Sequence, residues 1–450
     1  MAKAIATFKA TAGSGGPNLQ RLVYAVDFFG DDVSNEIATQ TQMQVNVYVP
    51  NDYSVAELND ALIAAVTASA QALGLTIDAD GVQTFRLDHI TLSTPGFIFT
   101  DYSLPALNIN PNWLLDQIKE GGLYTVSAAT VQGPDGWSGL ASGVGAFTMR
   151  TTIDPENAGL RVLELACTVA DASIAAADQY VIYTDIEGYD AGALMSGAPS
   201  ASQLTVMFPS DLSVAGDYGI SFHNGANNRR YVGTFTQAVA SVRQMQVVVL
   251  TLDTAGTWLY TNGTGIRIII TLAAGTDFQT TAGTWGAGAH LTTSAQANFM
   301  SSTSNIGYLG RFHVIPGGIA LSYRMQDIEI DLSKAKRHYE KSFAQGVAVA
   351  QNAGDTGNAF GGSQTVAPVG FQDGNFIAWQ VEKRAAPTMV GYNPSAANAN
   401  PRNISRGNDA TFGAFSLAGT RGVGFTMTTS AGSAAGDRNI LHWTANARLS

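Results

Sequence analysis

DYGISFHNGANNRRYVGTF, residues 217–235, reads as a strand, a turn and a second strand. The apolar runs YGISFH (218–223) and RYVGTF (230–235) flank an Asn- and Gly-rich turn, a composition that reverses a chain. Working outward, the same texture repeats. YVIYTDI (180–186), LTVMFP (204–209), MQVVVLTL (245–252), GIRIIITL (265–272) and ALSYRMQDIEIDL (320–332) are short apolar runs separated by Gly, Asn, Asp, Ser and Thr. Strands spaced this closely by turn residues predict a β-sandwich. Within MQDIEIDL, Asp327, Glu329 and Asp331 alternate with Ile328, Ile330 and Leu332, which predicts an edge strand with a charged outer face.

The first ~90 residues have a different texture, mixed α/β. QMQVNVYVP (42–50) alternates Met43, Val45, Val47 and Val49 with polar residues and Tyr48, the period of a half-buried strand. Ser54 and Glu57 then form a capping box. Val55, Leu58, Leu62, Val66 and Leu73 share one face of a helix over 55–73, and Gly74 closes it. Beyond the central strands, LSKAKRHYEKSFAQG (332–346) reads as a polar helical stretch. AQNAGDTGNAFGGSQT (350–365) reads as a long loop or hinge. FIAWQVEK (376–383), TMVGYN (388–393), VGFTMTT (423–429) and LHWTANARL (441–449) read as further strands.

Composition narrows the function classes. At ~100–200 residues per domain, 450 residues predict two to four domains. Only 13% of the residues are charged, against ~25% in an average soluble protein. The 24 Lys+Arg against 35 Asp+Glu leave a net charge of -11, which argues against general nucleic-acid binding. One cysteine, Cys167, excludes a disulfide framework, and its apolar setting predicts a buried thiol. The opening MAKAIATFKATAGSGG lacks the apolar core of a secretory signal, and no run of about 18 apolar residues predicts a membrane span.

Catalytic and metal patterns are sparse. His89, His223, His290, His313, His338 and His442 form no local metal-binding pair, so no metal site is predicted from histidine spacing. No nucleophile elbow or phosphate-binding loop occurs. Asp178, Asp185, Glu187 and Asp190 crowd one segment, with Asp185 and Glu187 on one strand face. They read as polar, solvent-facing residues, and their hard oxygens suit a calcium ion.

Aromatic and amide-bearing residues are more suggestive. Sugar recognition needs flat apolar faces together with donors and acceptors for hydroxyls. Tyr218, His223, Asn224, Asn227, Asn228, Arg229, Arg230 and Tyr231 surround the 217–235 turn, and Trp258, Tyr260 and Trp285 lie in nearby segments. These eleven are the candidate glycan-binding residues.

LSKAKRHYEKSF (332–343) resembles a stretch that recurs in bacteriophage virion proteins, where it follows a jelly-roll domain similar to a carbohydrate-binding module. DYGISFHNGANNRRYVGTFT (217–236), TLDTAGTWLYTNGTGIRIIITLAAGTDFQTTAGTW (251–285), GYLGRFHVIPG (307–317), VEKRAAPTMVGYNP (381–394) and LHWTANARLS (441–450) are similar, in order, to further segments of those proteins. Ala335 stands where the family usually has a cysteine, and His338 where it has a tyrosine. The resemblance covers roughly residues 200–450.

With it, the expected architecture is mainly β. Residues 1–90 form a small N-terminal α/β domain for attachment or oligomerisation. A jelly-roll-like β-sandwich spans 91–334, a helix and Gly-rich linker 335–365, and a second C-terminal β-sandwich 366–450. The resemblance implies a virion structural protein of tail-fibre or receptor-binding type, assembled in the host cytoplasm. It would be a homo-oligomer, a trimer for a fibre, contacting other virion proteins and binding host-surface glycans without cutting them. No cofactor is expected beyond the calcium ion that the 178–190 carboxylates could take. Two alternatives remain: a purely architectural virion part (head fibre, decoration or tail adaptor) and a polysaccharide depolymerase.

Overall fold

Alternation of inward apolar and outward residues sets the frame of the computed structural model. It describes the backbone of residues 3–16, 19–29 and 43–50, and residues 105–450 apart from 289, 319–325, 358–359, 364–370, 431 and 450. The chain divides into two units at residues 104 and 105. In the first, β1 (Lys3–Gly16), β2 (Leu19–Phe29) and β3 (Met43–Pro50) form an antiparallel sheet in that order. The helix expected over 55–73 lies outside the described residues.

The second unit opens with a two-layer β-sandwich. One layer runs β13 (Gln244–Thr251), β10 (Gln203–Leu212), β16 (Ile306–Leu309), β8 (Arg161–Val169), β7 (Ala146–Ile153) and β4 (Tyr124–Ser127), with β17 (His313–Pro316) also on β10. The facing layer runs β15 (Trp285–Gly286), β12 (Arg230–Gln237), β11 (Gly216–Asn224), β14 (Thr264–Ala274), β9 (Gln179–Glu187), β6 (Trp137–Ala141) and β5 (Thr130–Gln132). Every pairing in both layers is antiparallel.

Period two explains the core between the layers. Tyr180, Ile182 and Ile186 of β9, Ile266, Ile268 and Ile270 of β14, and Tyr218, Ile220 and Phe222 of β11 all point inward. An aromatic chain crosses the centre. Trp113 meets Trp137 at 4.7 Å between ring centroids, Trp137 meets Phe312 at 4.9 Å, Phe312 meets Phe208 at 5.0 Å, and Phe208 meets Phe235 at 5.1 Å. Cys167 is buried, as its apolar neighbours predict.

The remaining chain builds a second β assembly. β26 (Arg438–Asn446) pairs with β18 (Tyr339–Lys341), β19 (Phe360–Ser363), β21 (Thr388–Tyr392) and β22 (Arg402–Asn403), and β22 with β23 (Asn408–Asp409). A three-stranded sheet of β20 (Phe371–Ala378), β25 (Gly422–Thr428) and β24 (Thr411–Ser416) completes it. Trp379 and Trp443, 5.2 Å apart, sit in its core. The mainly β architecture, a β-sandwich followed by further antiparallel sheets, is thus the one the sequence predicts.

Two local expectations fail. The stretch 327–332 is not an edge strand: Ile328–His338 is an α-helix whose N-cap, Asp327, accepts from the Glu329 amide at 2.9 Å. A side-chain cap satisfies an amide that the helix leaves unpaired, which favours this start. The polar helical stretch therefore begins earlier than 332 and ends at 338, where β18 takes over. Likewise the 350–365 segment is not all loop, because Phe360–Ser363 adds a strand to β26.

The helix and second assembly are bonded to the sandwich. Arg337 holds Glu187 of β9 through two bonds of 2.8 and 2.7 Å. Arg448 donates to Gly133 at 2.6 Å and to Asp135 at 3.2 Å. Asn446 bonds Gln132 at 2.7 Å, and Gln117 reaches the Tyr339 carbonyl at 2.9 Å.

Candidate functional site

The outer face of the β12–β11–β14–β9 layer carries a cleft of ≈ 270 Å³. Its position follows from register. Arg230 on β12 lies opposite His223 on β11, His223 opposite Arg267 on β14, and Arg267 opposite Asp185 on β9. Directly opposed residues point to the same face, with ~5 Å between Cβ atoms. Four strands therefore align Arg230, His223, Arg267 and Asp185 in one row. Leu140, Val181, Tyr183 and Ile269 form the apolar ground beside this row, and Gln179 and Asn227 complete the polar lining.

A loop closes one side. There the Leu291 amide donates to the Phe278 carbonyl at 2.7 Å and Thr271 Oγ1 to the Leu291 carbonyl at 3.1 Å. Phe278 and Leu291 thereby face into the cleft. The approach needs a glycine below it, since a Cβ on Gly219 would sit 2.5 Å from the Leu291 carbonyl oxygen.

The row has a distinct charge arrangement. Arg267 grips Asp185 through Nε at 2.7 Å and a second nitrogen at 2.8 Å, and its guanidinium lies 4.2 Å over the Tyr183 ring. The His223 ring sits between Ser221 Oγ and Asn227 Oδ1, each at 3.1 Å. Burial, then the charges of Arg230 and Arg267, push the His223 pKa down to about 3, so the ring is neutral at pH 7. Arg230 is half-buried, its Nε has no hydrogen-bond partner, and burial lowers its pKa.

The eleven predicted site residues do not form one site. His223, Asn227 and Arg230 line the cleft. Arg229, Tyr231 and Trp285 line a second, ≈ 570 Å³ recess with Gln203 and Asp253. Arg229 is bidentate to Asp253 there, at 2.5 and 2.9 Å. Trp285 donates to the Thr251 carbonyl at 2.9 Å and packs on Tyr231 and Trp258. Trp258 is buried, and Tyr260 is exposed with its hydroxyl bonded to the Ser196 carbonyl.

Two candidates are structural, and this corrects the sequence reading. Tyr218 is fully buried in the core, stacked on Phe235 and donating to the Val214 carbonyl at 2.7 Å, out of reach of any ligand. Asn224 is buried and knits the turn: its Oδ1 accepts from the Asn228 and Arg229 amides, and its Nδ2 donates to the Thr257 carbonyl. Asn228, exposed, accepts from Asn224 and serves the same turn.

Sequence reading also missed Tyr183, Arg267 and Phe278. Arg267 carried a signal, being the one charged residue within GIRIIITL. Asp185 and Glu187 share a face as predicted but are buried rather than solvent-facing, because each is taken by an arginine. Their engagement leaves no calcium cage from that segment, and no group of three His, Cys, Asp or Glu is placed to hold a metal among the described residues.

No protein-family model and no curated protein matches this chain. Similar solved structures include a family 61 carbohydrate-binding module in complex with β-1,4-galactotriose. It is 7% identical, with a TM-score of 0.23, over 47% of this chain and 99% of that one. A family 11 module from Clostridium thermocellum, in complex with a β-1,3-1,4-mixed-linked tetrasaccharide, is 10% identical with a TM-score of 0.23, over 43% and 100% of the two chains. The enzymatically active domain of bacteriophage CBA120 tailspike protein 4 is 9% identical with a TM-score of 0.23, over 47% of this chain and 24% of that one.

Proposed function

We propose that this protein binds glycans without cleaving them, through the cleft of Arg230, His223, Asn227, Arg267, Tyr183 and Phe278. One observation carries this reading. A pre-built cleft on a rigid sheet combines aromatic and aliphatic ground with guanidinium, imidazole and amide groups, the mixture that suits a sugar's C–H faces and hydroxyls. Glycoside hydrolysis needs two facing carboxyls roughly 5–10 Å apart. The residues lining this cleft include no Asp or Glu.

The order of segments resembling bacteriophage virion proteins supports a finer role. The protein would act as a tail-fibre or receptor-binding part of a virion, a homo-oligomer, trimeric in a fibre, attached to other virion proteins. Repetition of the cleft would raise weak affinity by ~10²–10⁴ through avidity.

A glycan array with the purified full chain tests the binding reading. Wild type gives sugar signals. Phe278→Ala and Asn227→Gly, the latter retaining the left-handed backbone of Asn227 at φ 57, reduce them, and Trp285→Ala in the second recess does not. A blank array with folded protein refutes glycan binding. If particle cryo-EM then places the sandwich inside a ring of other subunits, an architectural role replaces it. New reducing ends from host capsule would establish a depolymerase.

A further inference from the structure

Resting on the glycan-binding reading of this cleft, we infer that its ligand is an acidic sugar whose carboxylate or phosphate group pairs with Arg230. The argument begins with charge balance along the row. Arg230, His223, Arg267 and Asp185 contribute two cations, a neutral ring and one anion. The single carboxylate is already committed to Arg267 by two bonds. One positive charge is left over, and it belongs to Arg230.

Arg230 differs in this from Arg150, Arg243 and Arg267. Arg150 pairs with Glu164, Arg243 with Asp154 and Glu156, and Arg267 with Asp185. The sharpest contrast is its chain neighbour. Arg229 lines the second recess and is bidentate to Asp253, whereas Arg230 lines the cleft and, among the described residues, has no carboxylate partner and a buried Nε without an acceptor. A guanidinium in a cleft wall with no carboxylate beside it has terminal nitrogens free to take an anion that arrives from outside, through charge-assisted hydrogen bonds. Guanidinium forks match carboxylate and phosphate oxygens bidentately, which sets the ligand chemistry as an oxyanion on the sugar.

The surroundings agree. The His223 ring beside Arg230 is neutral, so it adds no competing charge and leaves Arg230 and Arg267 as the cleft's cations. The chain's net charge of -11 does not cancel this, because exposed charges beyond ~8 Å are screened at physiological salt. An acidic protein thus presents a local positive site in an apolar-walled cleft.

Calorimetry on the full chain tests the inference with matched probes. The uronate arm is trigalacturonate against its methyl ester. The phosphate arm is phosphomannan against the same polymer after dephosphorylation. A broad glycan array runs alongside. The expected result is that one acidic probe binds about tenfold or more tightly than its neutral partner, and which arm responds identifies the oxyanion. Arg230→Gln removes that preference, Arg230→Lys retains part of it without the fork, and Arg150→Gln on the other layer keeps it intact. Thermal melts verify folding of each variant, and Arg230→Lys serves if Arg230→Gln does not fold. Neutral probes binding as well as acidic ones, or a preference surviving in Arg230→Gln, overturns the acidic-ligand inference and leaves the glycan reading standing. An array without any signal overturns both.

Discussion

Glu187→Gln tests how the second β assembly is held to the sandwich. Glu187 ends β9, and its side chain is 2% exposed. Its carboxylate accepts from Arg337 at 2.8 and 2.7 Å, and His338 Nε2 lies 3.4 Å away. Burial alone would raise its pKa, but the bonds from Arg337 and His338 outweigh burial and bring it from 4.5 down to about 2. At ~1.36 kcal/mol per pH unit, that lowering corresponds to about 3 kcal/mol. Arg337 is 32% exposed, so water screening reduces the expected loss to about 2–3 kcal/mol. The sign follows from a depressed carboxyl. Its contribution is complete above pH 4.5 and disappears as pH falls through about 2. Urea unfolding followed by tryptophan fluorescence reads both assemblies, through Trp113 and Trp137 on one side and Trp379 and Trp443 on the other. Glu187→Gln should lower stability at pH 7 and converge with wild type near pH 2. A difference below about 0.5 kcal/mol at pH 7, or one that persists unchanged at pH 2, refutes the assignment.

Two further expectations concern single residues. His223 has a folded pKa depressed from 6.5 to about 3, so the folded state resists a proton that the unfolded state accepts. Its stabilising effect is complete above pH 6.5 and is lost as pH falls toward 3, and His223→Gln should flatten the stability profile across that window. A Cε1–H resonance assigned to His223, by its loss in His223→Gln, that titrates near 6.5 in the folded protein would contradict this. Asp327→Ala removes the N-cap of Ile328–His338 and should cost about 1 kcal/mol in urea unfolding, with unchanged signals from the sandwich core.

That helix shows where sequence reading of the fold breaks down. Across the sandwich, period two was a faithful guide where one face of a strand is buried, as in β13 and β12. In MQDIEIDL the same period appears without that cause. Ile328 is 39% and Ile330 55% exposed, so the alternating isoleucines do not mark a buried face. Asp331, read as solvent-facing, is buried and accepts from the Asn110 amide at 2.9 Å. What decides the helix is the Asp327 cap and a partner 221 residues away in sequence, and only the cap has a local signature.

The candidate site divides along the same lines. The hairpin turn at 224–229 places His223 opposite Arg230, and this follows from 217–235 alone once the turn length is known. Arg229, in the turn, is committed to Asp253 in the second recess while Arg230 lines the cleft, so grouping them was the error. Arg267 and Asp185 are separated by 82 residues, and their meeting depends on the pairing order β11–β14–β9, which no local pattern encodes. Without that register the charge count of the row cannot be drawn up. With it, the lone arginine of GIRIIITL consumes the only acid, and the imbalance falls on Arg230. The feature most informative about the ligand is therefore a property of strand order rather than of any motif.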